Sequence, residues 1–110
     1  MDKLSLVATA REQGRRAATA SSGRAAETVY GGHERSLRQT VIALAAGRSL
    51  SEHENPGEAT VHVLSGRVRL TAGATSWEGR SGDLLVVPQD RHSLEALDDA
   101  AVLLTVVKHE

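Results

Sequence analysis

Between Thr60 and Thr71 apolar and polar residues alternate. In an extended chain Val61 and Val63 share one face and His62 the other. Val68 and Leu70 resume the pattern after Ser65-Gly66, a pair that suits a tight bend or bulge. Leu37 to Leu44, LRQTVIAL, is β-rich and of strand length. Leu84 to Val87 is wholly apolar, the pattern of a strand buried on both faces, and Pro88 stops it because proline cannot donate to a ladder. Ser76 to Glu78, His92 to Leu97 and Ala101 to Val107 read as further strands, with Thr28 to Tyr30 a short one before Gly31-Gly32. Turns are expected at Ala45-Ala46-Gly47, Pro56-Gly57, Ala72 to Thr75, Gly79 to Gly82 and Asp98-Asp99. About eight short strands at this spacing predict an all-β barrel or sandwich.

The first residues behave differently. Leu4, Val7, Ala8 and Arg11 recur at helical spacing, so one short helix is predicted around residues 4–19, ended by Ser21-Ser22-Gly23. Gly14 and the Ala, Thr and Ser content make it an intrinsically weak helix. Residues 1–29 are therefore read as an arm, partly helical, and residues 30–110 as the β domain. The arm is basic: Lys3, Arg11, Arg15, Arg16 and Arg24 stand against Asp2 and Glu12. The other end is acidic, with Glu95, Asp98, Asp99 and Glu110 against Lys108, so the two ends can attract each other within a chain or across a dimer.

Composition narrows the chemistry. A chain of 110 residues is one domain with one core. Phenylalanine is absent, and Tyr30 and Trp77 are the only aromatics, so the core must be built from Val, Leu, Ile and Ala. The net charge of −1 and the lack of aromatics argue against a nucleic-acid surface. There is no cysteine, so a metal would have to use imidazole, carboxylate, amide oxygen or water. No apolar run approaches the ~20 residues that a membrane helix requires. No secretory h-region precedes the domain, and the expected setting is cytoplasmic.

Two stretches carry the candidate chemistry, Gly47 to Gly66 (GRSLSEHENPGEATVHVLSG) and Gly82 to His92 (GDLLVVPQDRH). Each puts one histidine beside an apolar strand. In the first, His53 follows Gly47 after five residues and Gly66 closes the stretch. In the second, Pro88 follows Gly82 after five residues, and His92 comes next. These spacings resemble the paired motifs of the cupin superfamily, over residues 37–107, and the chain is most similar to its small single-domain bacterial members. The resemblance implies a double-stranded β-helix, that is, a jelly-roll barrel of RmlC-like type, with His53 and His92 as neighbours near its mouth. It also implies a divalent metal, Fe, Mn, Ni or Zn, held in the typical member by three His and one Glu. Here the family's second His position is Asn55, its Glu position is Ala59, and the second-motif His comes one residue early.

His53 and His92 are accordingly the first candidates for ligand or metal binding. Asn55 is a further candidate through its amide oxygen, although Asn-Pro-Gly is also ordinary turn chemistry. Glu58, one residue from the family's Glu position, is a replacement carboxylate, as are Glu52 and Glu54 if the loop bends. His33, after two glycines, is a third ligand if its loop folds over the mouth. Gln39, on one face with Val41, is expected to line the cavity, and Trp77 to wall it or to sit at an interface. His62, opposed in parity to Val61 and Val63, is expected at the surface or between subunits. Arg67 and Arg69 read as a solvated strand face.

The leading expectation is a barrel that binds a small molecule in an apolar cavity, His53 and His92 being its polar handles. The alternative is a metal-dependent enzyme of dioxygenase, isomerase or cyclase type. A third reading, a barrel that serves only to dimerise, predicts neither metal nor cavity. A homodimer is expected because the runs at Leu84–Val87 and Ala101–Val107 are apolar on both faces.

Overall fold

The computed structural model describes residues 2–53 and 57–108, with the side chains of residues 51–53 excepted. Among the described residues one helix, α1 (Leu6–Thr19), precedes nine strands: β1 (Arg24–Tyr30), β2 (Leu37–Leu44), β3 (Ser49–His53), β4 (Gly57–Ser65), β5 (Arg67–Ala72), β6 (Thr75–Arg80), β7 (Leu84–Val87), β8 (His92–Ala96) and β9 (Ala100–Lys108). They form two antiparallel sheets, of order β1-β2-β9-β4-β7 and β3-β8-β5-β6. This is the jelly-roll barrel that the two motif stretches imply.

The core lies between the sheets and follows the period of two. Val61 and Val63 on β4, Ile42 and Leu44 on β2, and Val102 and Val106 on β9 meet Val68 and Leu70 on β5 and Leu94 and Ala96 on β8. Leu70, Val63 and Val68 are among the largest side chains to be fully buried, so the interior is filled mainly by aliphatic residues.

The outward face of the five-stranded sheet is half covered by α1. Ser5 caps the helix, its hydroxyl accepting from the Ala8 amide at 3.1 Å. Glu12 pairs with Arg15 and Arg16 one turn on. The helix lays Ala10 and Ala17 on Ala25, Ala43, Leu64 and Ala101, small side chains that let helix and sheet approach. Gln13, 1% exposed, donates from Nε2 to Glu27 Oε1 at 3.1 Å and so ties α1 to β1.

Two expectations need correcting, and one strand went unread. β1 starts at Arg24, inside the residues read as an arm, because it pairs with β2 from Arg24–Leu44 onward. Ser49 to His53 forms a strand although its composition, SLSEH, is polar. Finally, Leu84–Val87 is not buried on both faces. β7 is an edge strand, and its outward Leu84 and Val86 are 61% and 69% exposed.

Candidate functional site

The two motif histidines meet in the backbone ladder. β3 and β8 are neighbours, and their register sets His53 directly opposite His92. The pairing slips by one position between Leu50 and His53, an irregularity that brings the two motifs into step. His92, first residue of β8, is 6% exposed. Its Nδ1 lies 2.9 Å from the backbone oxygen of Asp90. A carbonyl only accepts, so the neutral ring carries its proton on Nδ1 and Nε2 is its basic nitrogen.

Around His92 the wall is hydrocarbon. Ile42, Leu50, Val61, Leu70, Val102 and Leu104 are among the residues that line an interior cavity of about 30 Å³ with it, and among the described residues His92 is the one polar member of that lining. This space suits a water molecule or a small terminal group, whereas drug-sized ligands occupy roughly 300–1,000 Å³. The cavity beside His92 is thus smaller than the ligand cavity expected of an apolar binding barrel. Larger recesses lie outside it. One of about 470 Å³ runs over Thr60, Val86, Pro88, Thr105 and Val107, and one of about 350 Å³ lies beside β1.

A match to the family model described as "Cupin domain" spans residues 40–108. The chain belongs to the cupin family. Among solved structures it is similar to a conserved protein of unknown function from Streptococcus pyogenes, at 29% identity and TM-score 0.74, over 83% of this chain and 79% of that one. It is similar also to an RmlC-like cupin protein from Desulfovibrio desulfuricans, at 25% identity and TM-score 0.67, over 76% and 81%. A cupin superfamily protein from Desulfitobacterium hafniense shares the fold at 20% identity and TM-score 0.72, over 78% of each chain. No curated protein matches the sequence.

The other candidate residues distribute unevenly around this cupin site. Ala59, at the family's Glu position, is buried and paired with Val87 and Val106. Glu58 is exposed on the opposite side of β4 and borders the outer recess, so it does not replace a carboxylate inside. Gln39 shares a face with Val41, as read, but that face is the outward one. Ala43 of the same parity lies under α1, and Gln39 donates from Nε2 to Thr105 Oγ1 at 3.2 Å instead of lining the cavity. Trp77 pairs with Leu70 on the edge strand β6, is 49% exposed, and is not part of the cavity wall. His33 is exposed in the loop between β1 and β2. His62 projects outward, opposite Leu84 and Leu103 in the register. Arg67 and Arg69 form ion pairs with Glu78, Glu95 and Asp98 on the outer face of the second sheet. Asn55 and Glu54 lie outside the described residues, as does the side chain of Glu52.

Cupins often hold a divalent metal, which generally needs three or more firm protein ligands. Among the described residues no three His, Asp or Glu side chains come together in such a group. The described donors, a single imidazole in a hydrocarbon wall, do not fit a divalent ion by themselves. Among the described residues no helix is long and apolar enough to cross a membrane.

Proposed function

We propose that this cupin binds a small organic molecule at the mouth of its barrel, with His53 and His92 as the polar handles. The observation that carries the reading is His92 itself, a nearly buried imidazole in an apolar wall, oriented by the Asp90 carbonyl. A polar ring held in one orientation within a hydrocarbon wall is the natural anchor for a polar group of a ligand that reaches the mouth. The ladder register supports His53 as its neighbour. Because the interior holds only about 30 Å³, the ligand body rests at the mouth and only a small terminal group enters.

The same proposal includes a homodimer. Leu84 and Val86 stand exposed on the outward face of an edge strand, and a second copy laid across that face would cover them.

The test is a small-molecule library screened by ligand-observed NMR on untagged protein, with elemental analysis of the same samples. Ligands bound by the wild type and lost in both His53→Ala and His92→Ala support the proposal. Ligands retained by both variants contradict it. Metal near one per chain that disappears in His53→Ala would replace it with the metal-dependent reading.

A further inference from the structure

The five-stranded sheet is one strand wider than its partner. β1 is the strand left over: Arg24 and Ala26 pair with Leu44 and Ile42 and therefore face the core side, yet both are exposed. Beneath them lies the recess of about 350 Å³, lined by Ser22, Arg24, Ala25, Ala26, Ile42 and Leu50. Ile42 and Leu50 also line the barrel interior, so these two side chains separate the groove from the core cavity.

The groove has one charged end. Arg24 borders it, and the side chain of Arg48 lies across Gly23 at the same end, close enough to collide with any Cβ placed there. Neither arginine has an ion-pair partner among the described residues; Arg11, Arg38 and Arg80 share that state, so it is the place of Arg24 and Arg48 beside the groove that distinguishes them. Both are held by rigid backbone. Arg24 is part of β1. Around Arg48, its amide donates to Ala45 O at 3.0 Å and its carbonyl accepts from Ala96 N at 2.9 Å. The turn between them is pinned too, Ala45 N donating to Gly23 O at 2.8 Å. Apart from Ser22 the remaining side-chain wall is apolar, Ala26, Ile42 and Leu50, while Ala25 turns its methyl to the α1 side.

We infer that this groove is a second binding site, for a small amphipathic carboxylate whose anionic head meets Arg24 and Arg48 and whose apolar tail lies on Ala26, Ile42 and Leu50. Guanidinium suits a carboxylate because its planar donors match both oxygens. The small side chain of Ala26 keeps the floor open, and the volume falls within the range of small-ligand sites. The groove starts at the Leu44 end of the barrel and His92 stands at the other, so this site is distinct from the mouth.

The test uses hexanoate and hexanamide as probes, titrated into the ¹⁵N-labelled full chain and followed through the backbone amides. Hexanoate is expected to shift residues 22–26, 42 and 50 saturably. Hexanamide should bind about tenfold more weakly, as should hexanoate to Arg24→Gln. Ala26→Leu, at an exposed position that tolerates the larger side chain, should abolish the shifts by filling the floor. His92→Ala should leave them unchanged, so the outcome does not depend on the mouth site. Equal affinity for the two probes, shifts confined to residues 53 and 92, or no saturable shift would each overturn the inference.

Discussion

Gly66 adopts φ +79°, and a methyl group there would collide with the backbone oxygen of Asp99. The Ser65-Gly66 bend is therefore both a conformational and a steric requirement, as its place between two alternating strands suggests. Gly66→Ala should lower stability by at least ~2 kcal/mol, read as a fall in the urea midpoint with an unchanged slope. Leu70 is fully buried between the sheets. Leu70→Ala should cost about 2–5 kcal/mol, measured in the same way. Parity was legible at single residues: His62 projects outward because Val61 and Val63 project inward. Parity alone does not say which face is inside, and this is how Gln39 was misassigned. Val41 is fully buried, but on the outward face of the sheet that α1 covers, so its burial pattern matches that of a core residue. Trp77 eluded the sequence for another reason. It occupies an edge strand, where a core-facing position is still half open to water.

At the scale of elements, the strands with β-branched or aliphatic runs were legible and the polar one was not. β3 has no β-branched residue, and among its described side chains only Leu50 reaches the core cluster, so its strand state comes from pairing with β8 and not from local preference. β7 fails in the opposite sense, since LLVV has no polar residue to mark its exposed face. The helix was legible but its packed face was not: Leu4, Val7, Ala8 and Arg11, whose spacing marked it, are exposed, and Ala10, Gln13 and Ala17 dock on the sheet, which offsets the weak propensity. Its one buried polar residue, Gln13, bonds Glu27 through Nε2, while Oε1 has no hydrogen-bond partner. An unsatisfied buried acceptor costs about 1–3 kcal/mol, comparable to what the bond to Glu27 contributes. Gln13→Met, similar in shape, should therefore be neutral or raise the melting temperature slightly in calorimetry. Ala17→Asp, which places a charge against Ala43 and Ala101, should detach α1 and lower the melting temperature clearly.

For the whole molecule, the jelly roll was legible because two motifs, some forty residues apart, fix the strands that the fold brings together. What escaped the sequence is volume. Residue types gave an apolar barrel, but how completely its side chains fill it depends on the distance between the sheets. The proposed dimer is checked by light scattering after size exclusion: a mass about twice 11.7 kDa is expected, falling to one chain in Leu84→Glu/Val86→Glu. A wild-type mass of one chain would dismiss it. The account rests most heavily on the shared site of His53 and His92. Its most direct measurement is NMR of histidine ring nitrogens and carbons in the isotope-labelled, ligand-free protein. The account predicts His92 protonated at Nδ1, with a cross-relaxation signal between the rings of His53 and His92. A His92 ring protonated at Nε2, with no through-space signal between the two rings, would contradict it.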